Sequence, residues 1–234
     1  NLMLEGTANK TPAELEEAIG LLGASINMYS ANEDFHITGS CLAKNFEETI
    51  ALVKEIILEP RWDEAEYNRL MQGLETSLKD RESNPNAIAS LAYNQLLYGK
   101  NHPFAIPGSG TLETFKNISL NDLKTYYNNL VPENANFHIA GAMSKSETLS
   151  VLETLNTWKG QAPQIPTFNL PSENNKNTIY FIDVPDSKQS VFNIGKLALS
   201  ATNDDADNLD FANEILGGGS SGRLFQTLRI EKGY

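Results

Sequence analysis

The order of apolar and polar residues up to Pro60 predicts a β-hairpin with one helix before it and one helix after it. A Thr-Pro-Ala-Glu capping box at 11–14 precedes apolar residues at helical spacing, the pattern of a short amphipathic helix. Apolar and polar residues then alternate over 26–41 around a polar turn, which predicts a hairpin of half-buried strands. Asn45 is the predicted cap of a second amphipathic helix, which ends at Pro60.

Further helices and strands are predicted along the rest of the chain. Helical spacing predicts helices over 63–81, 85–98, 119–130 and 147–158, one through Leu209, Phe211 and Ile215, and one containing Leu224 and Leu228. Apolar patterns of the strand type predict strands over 137–139, 179–184 and 189–199. Because strands precede helices in both parts of the sequence, the predicted class is α+β, with helices packed on one face of an antiparallel sheet.

A polar stretch rich in proline divides the sequence into two parts. Three prolines lie among Gln, Ser and Asn residues in this stretch, a composition typical of an extended linker. We predict a first α+β domain at 1–157, a linker at 158–177 and the beginning of a second α+β domain at 178–234. Both ends fall within strongly patterned segments, so we expect the sequence to be an interior part of a larger protein.

Composition argues against two kinds of partner. The 18 basic and 30 acidic residues give a net charge of −12, which repels nucleic-acid phosphates and anionic membrane surfaces. No run of about 18 apolar residues is present, so no membrane-spanning segment is predicted. The single cysteine, Cys41, cannot form an internal disulfide, and this cysteine usage suits the cytoplasm and the periplasm equally.

Residue types alone define no catalytic site. The three histidines, His36, His102 and His138, include no pair spaced four residues apart, so no helix presents two zinc ligands. The glycine run at 217–222 lacks both common phosphate-loop orders and is interpreted as a flexible joint between helices. Ser109, between two glycines, lacks the spacing of a serine nucleophile and is interpreted as part of a turn.

Short motifs nevertheless follow one another in a distinctive order. In the first part they are Gly6-Thr7, Leu22-Gly23-Ala24 with Asn27, His102-Pro103 with 107–111, and Ala140-Gly141. In the second part they are Val184-Pro185, Gln189-Ser190, 215–219, 221–224, Leu228-Arg229 and Lys232-Gly233-Tyr234. Together these motifs resemble the pitrilysin family of zinc peptidases, which includes insulin-degrading enzyme and the mitochondrial processing peptidase. The resemblance covers nearly the whole chain.

The resemblance implies an enzyme of two homologous halves, each with two α+β domains, which close on an extended peptide. One half carries an H-x-x-E-H motif, whose histidines and a later glutamate bind zinc. The motif's second histidine lies five residues before the Gly-Thr pair, and Asn1 occupies that position here. The third ligand would fall at 76–78, centred on Ser77. Neighbouring Glu75 could replace that one ligand but not the histidine.

The resemblance therefore implies the non-catalytic half, inactive on its own. It implies no metal in this chain and zinc in a catalytic partner half, either in the same polypeptide or in a heterodimer. The chain would form part of the wall of the peptide chamber and contact the peptide substrate. In similar enzymes an arginine and a tyrosine of this half hold the substrate backbone, where a guanidinium can stabilise oxyanion charge. Arg229 matches that arginine, and Tyr234 is a weaker match to the tyrosine, which usually falls two residues further on.

Two alternatives remain open at this stage. The chain could be a scaffold relative with no role in proteolysis, and Arg229 would then be a solvated helix residue. It could instead be an active zinc endopeptidase whose N-terminal motif lies in another register, which stoichiometric bound zinc would reveal. The peptide-binding strand edge of catalytic halves matches Asn27-Met28 here, and peptide binding is not extended to these two residues.

Overall fold

The computed structural model describes residues 2–31, 33–169 and 178–234. Its α-helices are α1 Pro12–Leu21, α2 Phe46–Leu58, α3 Glu64–Glu82, α4 Pro85–Tyr98, α5 Leu112–Phe115, α6 Leu120–Tyr127, α7 Lys145–Leu152, α8 Ala206–Gly217 and α9 Arg223–Phe225. A π-helix, Gln226–Glu231, follows α9. Strands β1 Ser25–Ser30 and β2 Phe35–Ser40 form an antiparallel sheet. The class is α+β, as predicted.

Strand β1 of the hairpin has the alternation of buried and exposed residues predicted from the sequence, whereas β2 is half-buried over its first three residues and exposed over its last three. Ser25 faces Ser40 at one end of the ladder, and Ser30 faces Phe35 at the other. On β1, the side chains of Ile26 and Met28 are buried while their neighbours are exposed. One face of the hairpin therefore belongs to the core.

The core lies between this face of the hairpin and the first two helices. Because α1 and α2 each carry apolar residues on one side, both can bury that side against the sheet. The buried residues of the core are Met3, Leu15, Ile26, Met28, Leu52, Ile56 and Ile57. The predicted packing of helices on one face of an antiparallel sheet is confirmed.

Two aromatic side chains join the later helices to this core. The Tyr127 hydroxyl donates to the carbonyl of Ile57 in α2, and the indole N–H of Trp158 donates to the carbonyl of Leu130 at 2.9 Å. Helices α6 and α7 end at Tyr127 and Leu152, earlier than predicted. Since Leu130 lies beyond the end of α6, its carbonyl is available to accept the bond from the indole.

Side-chain caps determine where most of these helices begin. Thr11 and Ser119 form the predicted capping boxes at the starts of α1 and α6. Asn45 occupies the predicted N-cap position of α2, but its side chain makes no capping hydrogen bond. The Asn45 amide instead donates to the carbonyl of Leu22 at 2.8 Å, because the turn after β2 brings this amide beside the end of α1.

The strands predicted over 137–139, 179–184 and 189–199 are wrong for the described chain, which has no regular secondary structure there. The apolar pattern reports which side chains would suit a buried position in a sheet. A strand also requires a neighbouring strand that bonds its N–H and C=O groups. Within the described residues, the sheet consists of β1 and β2 alone, so these segments lack such a neighbour.

Contacts divide the chain into two compact units. One comprises Asn1–Pro171 and Ile179–Phe192, and the other Ser172–Thr178 and Asn193–Tyr234. The domain boundaries at 1–157, 158–177 and 178–234 remain a prediction, and part of the predicted linker, 170–177, lies outside the described residues. Within the residues described, no helix is both long and apolar enough to cross a bilayer.

The glycine run between α8 and α9 forms a close joint between these two helices. A Cβ added to Gly222 would lie 2.8 Å from the carbonyl oxygen of Gly218, and Gly219 has a φ of 57°. These positions suit glycine because they combine close backbone approach with a left-handed conformation. The predicted position of this run, between two helices, is confirmed. Within the run, the backbone segments approach one another closely.

Candidate functional site

The Gly6-Thr7 motif forms a turn that is fastened to the end of α2. Thr7 is fully buried, and its N–H donates to the carbonyl of Lys10 at 2.9 Å. Thr7 also forms a bridge with Pro60. Gly6 has a φ of 101°, and an added Cβ would lie 2.7 Å from the Lys10 carbonyl oxygen. Both the backbone angle and the close approach therefore require glycine at this position.

A half-buried carboxylate organises the side chains of this turn. Glu55 of α2 accepts a hydrogen bond from the Thr7 hydroxyl through one oxygen, and pairs through the other with the Lys10 ammonium at 2.6 Å. Burial by itself raises the pKa of Glu55, but the hydrogen bonds from Lys10 and Thr7 outweigh it, so the pKa lies below its ordinary value. Glu55 is therefore ionised at neutral pH and holds the turn from two sides.

We expect Glu55→Gln to lower the free energy of unfolding by about 1 kcal/mol at pH 7, because Lys10 then loses its charged partner. The folded-state pKa of Glu55 lies below the ordinary value of 4.5. This contribution is therefore present above pH 4.5 and is lost as the pH falls below it. Urea unfolding at pH 7 and at about pH 3 measures the difference. Glu17→Gln, at an exposed position of α1, is the control. A difference independent of pH would contradict the assignment.

Sequence reasoning did not identify Glu55 as part of this turn. Its partners Thr7 and Lys10 lie 48 and 45 residues away along the chain, so no local pattern connects them. The available signal was a carboxylate among the apolar residues of α2, next to Ile56 and Ile57.

The residues at the expected zinc-ligand positions do not form a metal site. Ser77 lies on the exposed side of α3, and the next residue, Leu78, is the buried one. Neighbouring Glu75 is paired with Lys79 at 2.9 Å. Asn1 lies outside the described residues. A serine hydroxyl is a poor ligand for zinc, so this part of α3 offers no complete ligand set.

The three histidines occupy unrelated positions. His36 stacks on Tyr29 across the hairpin with ring centroids 4.7 Å apart, and His102 stacks on Tyr98 at 5.2 Å. His138 is exposed in a segment without regular structure. Across 2–31, 33–169 and 178–234, no three His, Cys, Asp or Glu side chains are grouped so that they could hold a metal ion. The residues present do not fit zinc, and no zinc-dependent step is assigned to them.

The predicted turn-rich loop after α4 is held in place by α3. The Arg81 guanidinium donates to the Ser109 hydroxyl and to the carbonyl of Gly110. His102 Nδ1 accepts a hydrogen bond from the N–H of Phe104 at 3.2 Å and so caps a short 3₁₀ turn. These contacts confirm the interpretation of Ser109 as a turn residue and give His102 a structural contact within the loop.

Arg229 and Tyr234, the predicted substrate-binding residues, meet at the end of the chain. Arg229 lies in the π-helix Gln226–Glu231, a rare conformation that is often found at functional sites. Its guanidinium donates to the Tyr234 carbonyl at 3.3 Å. Both residues are exposed, so the guanidinium contacts main chain while remaining accessible to solvent. Their role in substrate binding remains a prediction.

The residues that the structure describes combine an α+β fold, a tight turn at Gly6-Thr7, and no group of side chains suited to a metal ion. Residues 1–103 match the family described as Insulinase (Peptidase family M16). Residues 117–234 match the family described as Peptidase M16 inactive domain. The chain belongs to peptidase family M16, and the resemblance found in its motifs is confirmed.

Curated bacterial relatives align with nearly the whole chain. The protein named uncharacterized zinc protease YmxG of Bacillus subtilis is 23% identical over 238 residues, which are 100% of this chain and 56% of the relative. The non-peptidase homolog YmxG of Helicobacter pylori is 24% identical over 233 residues, 98% of this chain and 53% of the relative. The chain thus spans about half the length of these relatives, whose names include both a protease and a non-peptidase.

Solved structures share the fold. The peptidase M16 inactive domain from Pseudomonas fluorescens superposes with a TM-score of 0.81 at 21% identity, covering 99% of this chain and 57% of the other. The periplasmic protease PqqL from Escherichia coli superposes with a TM-score of 0.64 at 16% identity, covering 74% of this chain and 20% of the other. At these identities the likeness establishes the fold.

Proposed function

We propose that this chain belongs to the non-catalytic half of a two-part M16 zinc peptidase and forms part of the wall of the peptide chamber. Two observations together carry the proposal. The C-terminal half of the chain matches an inactive peptidase domain, and the expected ligand positions hold Asn1 and Ser77. The domain keeps the turn around Gly6 and Thr7, so the scaffold is maintained while the metal chemistry belongs to the partner half.

The catalytic partner in this proposal is a separate polypeptide that carries H-x-x-E-H and zinc. The support comes from chain lengths. Relatives that align with this whole chain are about twice as long as it is, since it covers 53% to 57% of them. That length accommodates two α+β domains, which is one half of such an enzyme. PqqL is much longer, since the part of this chain that aligns covers 20% of it.

In the assembled enzyme, Arg229 donates hydrogen bonds to the substrate backbone near the partner's zinc. A guanidinium can stabilise the oxyanion that develops on an attacked peptide carbonyl. Its present contact with the Tyr234 carbonyl shows that the side chain can reach a main-chain carbonyl. Tyr234, which is 81% exposed, is the weaker candidate for a second contact. The proposal therefore assigns Arg229 the larger effect.

The test combines the complete protein with its zinc-bearing partner and follows cleavage of an unstructured peptide. We expect no hydrolysis by this protein alone, hydrolysis by the assembled pair, and a fall in kcat of about 10²-fold for Arg229→Ala in that pair. Lys232→Ala, which removes an equal charge from the same exposed region, is the matched control and should leave kcat near that of the unaltered pair. Arg229→Lys should recover only part of the activity.

Three outcomes would overturn parts of this proposal. Stoichiometric zinc on the protein alone would assign it to the active peptidases. Unchanged kcat for Arg229→Ala would remove the role given to Arg229. A stable pair that cleaves no peptide would favour a scaffold without proteolysis, and the Helicobacter pylori relative is named a non-peptidase homolog.

A further inference from the structure

A cavity of about 210 Å³ lies between α4 and the loop that follows it. One wall is formed by Ala87, Ser90, Leu91 and Asn94, which share one face of α4 because they are spaced three or four residues apart. The opposite wall comes from residues 104–107. Sites for drug-sized ligands have volumes of about 300 to 1,000 Å³. The cavity therefore suits a smaller molecule or a single residue of a peptide.

The walls of this cavity combine apolar surface with polar groups that the fold does not use. Leu91, Phe104 and Ile106 contribute apolar surface. The Ser90 hydroxyl and the Asn94 amide also line the cavity, and neither forms a side-chain hydrogen bond with any residue that the structure describes. Sites with this composition bind a ligand through its apolar body and orient it through a few polar contacts.

Arg81 gives the cavity a positive charge, although the whole chain has a net charge of −12. No acidic side chain is among the described residues that line it. A guanidinium has five N–H groups, and two of them are bonded to Ser109 and Gly110, so three remain for a ligand. Because the two bonds already hold the side chain in place, little conformational entropy is lost when the remaining groups bind.

We propose that this cavity binds a small carboxylate with an apolar body, either a free organic acid or the C-terminal residue of a peptide. The carboxylate accepts hydrogen bonds from Arg81, since a planar guanidinium matches the geometry of a carboxylate. The apolar body packs against Leu91 and Phe104. The proposal does not depend on a peptidase partner, and it concerns a site other than Arg229, which belongs to the other compact unit.

Two matched pairs of ligands, each added to the complete protein, test this proposal. The first pair is isocaproate and isocaproamide, and the second is the tripeptide Ala-Ala-Leu and its C-terminal amide. In isothermal titration calorimetry we expect each carboxylate to bind at least about 10-fold more tightly than its amide, because hydrogen bonds to charged groups are the stronger ones. Tighter binding of the tripeptide would identify a peptide C terminus as the source of the ligand, and tighter binding of isocaproate a free acid. Either result would support the proposal.

Two substitutions show whether the ligand lies in this cavity. Arg81→Gln should abolish the preference for carboxylate over amide, which a general loosening of the loop would not do. Ser90→Phe, at an exposed position, should fill the cavity and weaken binding of both carboxylates by at least about 10-fold, because it blocks the apolar contacts. Lys79→Gln removes an equal charge from α3, where Lys79 pairs with Glu75. This matched control should leave binding unchanged.

The proposal would be overturned if the unaltered protein bound none of the four ligands, or if it bound each carboxylate and its amide equally. Retention of the carboxylate preference in Arg81→Gln, or unchanged binding in Ser90→Phe, would also overturn it. If the Arg81 variant does not fold, the ligand pairs and Ser90→Phe still decide the question. Because calorimetry does not require hydrolysis, its result is independent of the Arg229 experiment.

Discussion

Ile56→Ala is expected to lower the free energy of unfolding by about 3 to 4 kcal/mol. Ile56 has no exposed surface and lies in the core between α2 and the hairpin. Truncating it removes apolar contacts and leaves a cavity that the helix and the sheet can close only in part. Urea unfolding followed by circular dichroism measures the change, which should move the midpoint while leaving the slope with denaturant nearly constant.

The control for this experiment is Leu21→Ala in α1. Leu21 is apolar and helical like Ile56, but it is 80% exposed, so its truncation should cost less than about 0.5 kcal/mol. A comparable loss in both variants would contradict the position of the core between α2 and the hairpin. A change of slope for Ile56→Ala would indicate that the two-state assumption fails.

Gly6→Ala is expected to lower the free energy of unfolding by about 3 kcal/mol. Alanine strongly disfavours the φ of 101° at this position, and its Cβ would lie 2.7 Å from the Lys10 carbonyl oxygen and 3.1 Å from the Arg61 side chain. The backbone angle and the contact with main chain act together, because neither can relax without moving the turn from α2. Thermal unfolding of the two proteins under identical conditions gives the comparison.

Gly20→Ala is the matched control and should change stability in the opposite direction. Gly20 lies within α1, and a Cβ added there would have no neighbouring atom within 4 Å. Alanine is the better helix former, so this variant should gain about 0.5 to 1 kcal/mol. Equal losses at Gly6 and Gly20 would show that the φ of Gly6 does not control the turn.

The turn around Gly6 also connects the fold to the proposed function. In the proposed assignment, an active half would have a zinc ligand five residues before the glycine of this turn, and that position holds Asn1 here. The bond from buried Thr7 to Glu55 gives this turn a structural role that requires no metal ion. The same geometry can then serve a chamber wall whose chemistry lies in another half.

Local interactions explain what the sequence by itself determined. The caps at Thr11 and Ser119 lie within three residues of the groups they bond. Neighbouring residues therefore determine where those helices begin. The alternation at Ile26 and Met28 depends only on the period of a strand. The order of short motifs was also sufficient to identify the peptidase family, and it predicts that Asn1 occupies a ligand position.

Only the tertiary structure decided the contacts that cross long distances in sequence. The bond from Thr7 to Glu55 and that from Tyr127 to Ile57 join residues 48 and 70 positions apart, and no periodicity relates them. The apolar run 179–182 is a second case in which the sequence pattern and the tertiary structure differ. Its pattern is that of a strand, but strand formation requires a neighbour that bonds its backbone. A pattern therefore states which side chains suit burial, and the three-dimensional fold decides whether they are covered.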